Sequence, residues 1–162
     1  MAIKDQVSAE QWKLLMNAPG AASAYVSTAS GGVFEMFKEL FTAGKFLQDL
    51  IKQPTGSGYG TIVDELLTAM KGMSFNDAKA GSVQYQSKDP AGLRAEAKQI
   101  VVDAAAAVSN LPDKEGYKRW ILEVSRQVAL TKTGGILGMG GTSVIDEKEQ
   151  AALDELAALF AV

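Results

Sequence analysis

The sequence predicts an all-α protein: a single-domain bundle of about seven helices, with a long central helix over residues 33–52 and a glycine-rich flap over residues 134–145 before the last helix. Three observations predict it. Apolar residues recur at three- and four-residue spacing in most segments between chain breakers. Helix-start chemistry precedes those segments, at Ser8, at Asp89–Pro90 and at Asp146. Only one short run, SVQYQ at residues 82–86, alternates as a strand would, and one strand cannot make a sheet. The chain has 162 residues, which suits one domain. A domain of that size buries roughly 70% of the surface of its unfolded chain, enough for a core without disulfide or metal staples.

The first helix has a defined start. Ser8 and Gln11 are spaced as a capping box, and Val7 and Trp12 as a hydrophobic staple. This helix is expected to run to about Asn17 and stop before Pro19. Residues 19–30, PGAASAYVSTAS, are nearly all small. Pro19 suits the first turn of a second helix, and the alanines and serines permit close approach by a neighbour.

Gly31 and Gly32 break the chain before the strongest periodic signal. Val33, Phe37, Leu40, Gly44, Leu47 and Ile51 mark one face, widened by Phe34, Met36, Phe41 and Leu50. Glu35, Lys38, Glu39, Thr42, Lys45 and Asp49 fill the other. A helix of that length is ~30 Å long and spans a small domain.

The loop QPTGSGYG, residues 53–60, is turn chemistry throughout. Thr61 is the expected cap of a fourth helix, Ile62–Lys71, ended by Gly72. Residues 73–88 carry weak signals. Asp89 caps and Pro90 opens a fifth helix running to about Ser109, with Leu93, Ala97, Ile100, Ala104 and Ala107 facing inward. Pro112 separates it from a sixth, which starts near Asp113 and is lined by Tyr117, Trp120, Ile121, Val124 and Val128. The last helix starts at Asp146 or Glu147, with Leu153, Leu156, Leu159 and Phe160 facing inward.

Composition excludes whole classes of chemistry. There is no cysteine, so disulfides, thiolate catalysis and zinc–sulfur sites are absent. There is no histidine, so a Ser-His-Asp triad and a di-iron site with Glu-x-x-His pairs are absent too. A net charge of −3 gives no basic footprint for nucleic acid. No apolar run reads as a signal peptide or a membrane span, and a cytoplasmic location is the expectation. No cofactor is implied.

The glycine stretch TKTGGILGMGGTSVIDEKEQ, residues 131–150, invites a phosphate-loop reading. Gly135 and Gly140 have P-loop spacing, but Gly141 and Thr142 follow where a lysine belongs. Helix-loop-helix is also the wrong context, and Asp146, Glu147 and Glu149 already fill the next helix's first turn. Ile136, Leu137, Met139, Val144 and Ile145 instead suit a flap folded over the end of the bundle. Such a flap can close over a small molecule. Its candidate ligand-binding residues are Gly135, Gly138, Gly140 and Gly141, with Tyr117 and Trp120 as apolar walls. Both aromatics also stand on the inward face of the sixth helix, as core residues do.

The sixth helix is locally basic, through Lys114, Lys118, Arg119, Arg126 and Lys132. The last is acidic, with five carboxylates between Asp146 and Glu155. The two complement each other, within one molecule or between copies. The carboxylates alone suit calcium or magnesium, but no EF-hand spacing is present, and a solvated face is the plainer reading. Asp103 falls on the polar side of the fifth helix with Glu96 and Gln99.

The ending GGTSVIDEKEQAALDELAALF, about 20 of the 162 residues, resembles the last helix-forming stretch of the tellurite-resistance TerB-like domains. The chain as a whole resembles small helical proteins common in bacterial genomes. The resemblance implies an all-helical bacterial bundle and carries over no metal site and no activity. The expectation is a non-enzymatic helical interaction module that binds a protein partner or itself. A small-ligand pocket under the flap and an acidic divalent-metal helix are the alternatives.

Overall fold

The structure, a computed structural model, describes residues 1–30, 49, 56–133 and 145–161. Among these every regular element is helical. In chain order they are a 3-10 turn at Ile3–Asp5, then α1 (Ala9–Ser30), α2 (Thr61–Gly72), α3 (Phe75–Gly81), α4 (Pro90–Ala107), α5 (Lys114–Thr133) and α6 (Glu147–Phe160). Apart from residue 49, the expected central helix 33–52 lies outside the described residues, as do the flap glycines. Within them, α1 is the central element: α4, α5 and α6 all pack on it.

The expected break at Pro19 is corrected. One helix runs from Ala9 to Ser30 with Pro19 inside it. An interior proline removes one backbone donor and orphans the carbonyl four residues earlier. That carbonyl belongs to Leu15, and the buried hydroxyl of Tyr117 donates to it at 2.9 Å. A side chain from α5 thus replaces the missing helix bond. All seven residues from Ala21 to Ser27 are buried, so two turns of α1 are covered on every side. Only small side chains, one tyrosine and one valine fill those turns, which is what lets neighbours close in from all directions.

The other elements begin where local chemistry places them. Ser8 and Gln11 form the reciprocal capping box, with Ser8 N donating to Gln11 Oε1 at 2.9 Å and Gln11 N to Ser8 Oγ at 3.1 Å. Asp89 Oδ1 accepts from Gly92 N at 2.9 Å, and Asp146 Oδ1 from Lys148 N and Glu149 N, each at 2.9 Å. The start of α2 differs from expectation. Gly60 occupies the cap position, and Thr61 is the first helical residue. Asp113 caps from a distance, its Oδ2 accepting from Thr61 N at 3.1 Å and Thr61 Oγ1 at 2.9 Å. These bonds hold the Asp113 carboxyl below the usual range, the backbone N–H contributing most.

The weakly patterned stretch 73–88 contains α3, capped by Ser74 Oγ accepting from Asp77 N at 3.1 Å. Residues 83–88 have no regular structure but are clamped. The Glu96 carboxylate accepts from Gln86 N at 2.8 Å, from Ser87 N at 2.7 Å and from the Ser87 hydroxyl. The hydroxyl bond, then the two amides, hold Glu96 below the ordinary carboxylate range. At the other end of the chain, Glu65 accepts from Ile3 N at 2.9 and 2.8 Å and pins the buried Ile3.

The core follows the predicted faces. Tyr117, Trp120, Ile121, Val124 and Val128 on α5 are all buried, as are Leu153, Leu156 and Phe160 on α6. On α4, Leu93, Ala97 and Ala104 are buried, while Val101 takes the inward place expected of Ile100. Asp103 is exposed and accepts from Gln99 Nε2 at 2.8 Å. No helix among the described residues is long and apolar enough to cross a membrane.

Candidate functional site: a cleft between the last two helices

Helices α5 and α6 run antiparallel. Lys118 Nζ, near the start of α5, donates to Phe160 O at the end of α6 at 3.0 Å, while Arg126 and Gln150 face one cleft further along. The lysine places a cation on the carbonyl end of α6, where the helix dipole favours it. Beside this contact, the outer faces of the two helices part to leave an open cleft of about 500 Å³.

The cleft is built from the faces next to the core stripes. Leu122 and Glu123 follow the buried Ile121 on α5, and Leu153 and Asp154 follow the buried Ala152 on α6. Leu122, Leu153 and Ala157 give it an apolar floor. Arg119 and Arg126 are exposed along the α5 rim, and Gln150 and Asp154 along the α6 rim. Glu123 stands between the arginines and accepts from Gln127 Nε2 at 2.6 Å, and Asp154 accepts from Gln150 Nε2 at 2.8 Å. Tyr59 closes one end, its phenol pushed up first by burial and then by the Glu123 charge, with Arg119 pulling it back. Tyr59 and Arg119 also border a second opening of about 540 Å³ against the loop at Gly58–Gly60 and the first turn of α5.

That end wall is fixed by a close approach. A Cβ placed on Gly116 would lie 1.8 Å from Tyr59 O, so only glycine lets the loop sit on the first turn of α5. Gly60, with φ at +95°, reaches backbone space that side chains rarely adopt, and its Cβ would stand 2.7 Å from Asp113 Cβ.

The ligand-site residues expected from sequence separate into two groups. Tyr117 and Trp120 are fully buried, their rings 6.0 Å apart, and Tyr117 is committed to Leu15 O. They belong to the core, and neither lines the α5–α6 cleft or its neighbouring opening. Gly135, Gly138, Gly140 and Gly141 lie outside the described residues. Of the flap, Ile145 is described and packs against the core. Among the described residues no three acidic side chains gather closely enough to hold a metal ion.

Sequence reasoning missed one polar constellation. Tyr25 of α1 donates its hydroxyl to Glu155 Oε2 of α6. Arg94 and Lys98 of α4 approach the same carboxylate at 3.9 and 3.6 Å. The Arg94 guanidinium stacks 4.4 Å from the Tyr25 ring centroid, with the Lys98 ammonium 5.8 Å from it. The tyrosine bond, then Lys98 and Arg94, hold the Glu155 carboxyl low, while burial and Glu155 push the Tyr25 phenol up. The partners lie 130 residues apart in Tyr25 and Glu155, and no local pattern announces such a pair. With three helices meeting there, the cluster locks orientation and leaves the tyrosine 2% exposed.

Comparison with protein-family models, with curated proteins and with solved structures gives no match.

Proposed function

We propose that this chain is a non-enzymatic helical interaction module whose docking surface is the α5–α6 cleft. One observation carries the reading: an open cleft in which apolar Leu122, Leu153 and Ala157 lie between the charged Arg119, Glu123, Arg126 and Asp154. That is the anatomy of a surface that receives a helix, which lays its apolar stripe on the floor and its polar edges along the rims. The titratable groups lining it are two arginines, two carboxylates and a tyrosine, with no histidine or cysteine to serve as base or nucleophile.

Photo-crosslinking in cells tests it. A benzophenone side chain at position 122 is expected to give adducts of added protein mass, while the same probe at exposed Asp103 gives none. Equal labelling from both positions, or no protein adduct from 122, overturns the reading. Specific stabilisation by one compound in a metabolite and nucleotide panel, with no adduct, overturns it in favour of a small-ligand-binding protein.

A further inference from the structure

We infer that the occupant of this cleft is a second copy of the same chain, laid across it with two-fold symmetry. This rests on the reading of the cleft as a docking surface. Charge singles out that occupant. The α5 rim carries Arg119 and Arg126, both exposed and seven residues apart. The outer face of α6 carries Glu147 and Asp154, also exposed and seven residues apart. Seven residues are two turns, so each pair is spaced ~10.5 Å along its helix. Among the described residues none of these four makes an ion pair, although both helices border the same trough. Among the described residues the basic side chains that do pair do so elsewhere: Lys118 with Glu115, and Arg94 and Lys98 with Glu155.

A surface with one basic and one acidic helix is complementary to itself. In an isologous dimer, a two-fold axis running along the cleft sets α5 of one copy against α6 of the other, twice over. The basic outer face of each α5 then meets the acidic outer face of the other copy's α6, on either side of the apolar Leu122, Leu153 and Ala157. The carboxylate of Glu123 is held aside by Gln127. A foreign acidic or basic helix complements only one of the two rims. A second copy complements both.

Charge reversal tests the arrangement. Sedimentation of the full chain is expected to show a monomer–dimer equilibrium. The double variants Arg119→Glu/Arg126→Glu and Glu147→Lys/Asp154→Lys each set like charges face to face and are expected to weaken the dimer by roughly 100-fold or more. Mixed in equal amounts, they present complementary rims again and are expected to form a one-to-one heterodimer. All four side chains are exposed, and unchanged circular dichroism checks that each variant folds. Independently, Arg126→Cys mixed with Asp154→Cys is expected to give a disulfide-linked heterodimer, in a chain that has no cysteine of its own. A wild-type monomer at millimolar concentration overturns the inference, as does a dimer indifferent to both reversals or a mixture that stays monomeric. If position 122 still crosslinks to a different protein, the docking reading stands and only the partner is wrong. Without any adduct from 122, both fall.

Discussion

Tyr117 donates its buried hydroxyl to the carbonyl of Leu15, 102 residues away, the one carbonyl of α1 that Pro19 deprives of its helix donor. Removing the hydroxyl leaves that carbonyl buried and unsatisfied, which costs about 1–3 kcal/mol. Tyr117→Phe is therefore expected to lower stability by that amount in urea unfolding. Pro19→Ala supplies a backbone N–H at the same place, so the Tyr117→Phe penalty is expected to shrink in the Pro19→Ala background. Equal penalties in the two backgrounds contradict the compensation.

Two glycine-to-alanine changes are expected to have opposite signs. At Gly116 the new methyl meets Tyr59 O at 1.8 Å, and relieving that overlap costs about 1–3 kcal/mol. At Gly20, inside α1, nothing lies within 4 Å of the added carbon. There the gain in helix propensity is about 0.5–1 kcal/mol. Thermal unfolding of both variants reads the contrast directly. A neutral Gly116→Ala means that the loop does not rest on α5 as described.

Acid is expected to weaken the distant caps. The carboxyls of Asp113, Glu96 and Glu155 are all held below their ordinary values, so each favours the fold when ionised. Their contribution is present above the unfolded values, about 4, and is lost as pH falls through the lower folded values. The stability gap between wild type and Asp113→Asn is expected to be widest near neutrality and to close at acid pH. A gap that does not change with pH rules out the ionised cap.

Alkali is expected to act through the tyrosines. All four are pushed up: Tyr85 to about 12, mainly by burial with Glu96 assisting, Tyr117 well above the free value by burial, and Tyr25 and Tyr59 also upward, chiefly by burial. A raised folded value favours the protonated fold below the unfolded value, about 10, and that support is lost as pH rises through the folded values. Tyrosinate absorbance is thus expected to lag behind that of the unfolded chain and then rise together with loss of helix. A full set of tyrosines titrating near the free value before unfolding contradicts this.

The helices were legible because their signals are local. Ser8 with Gln11, Asp89 with Pro90, and Asp146 each declare a start within four residues, and the stripes Tyr117–Val128 and Leu153–Phe160 declare the buried faces. Pro19 was misread for the same reason. Locally it is a breaker, and the hydroxyl that makes it tolerable comes from α5. Asp113 capping α2, Glu96 clamping residues 86–87, and Glu155 meeting Tyr25 are all pairings across the fold, invisible to periodicity. The cleft was half legible: the opposed charges of its two helices stood in the sequence, but only the antiparallel packing shows which faces border the trough.

The enclosed position of α1 has a consequence for synthesis. The ribosome delivers Ala9–Ser30 first, yet the helices that wrap it are drawn from residues 90 to 160. A nascent chain halted before Pro90 carries a greasy rod with none of those three wrappers yet made. Native assembly of this helix therefore waits until residues 90–160 have been made, and truncation before Pro90 strips the cover from α1.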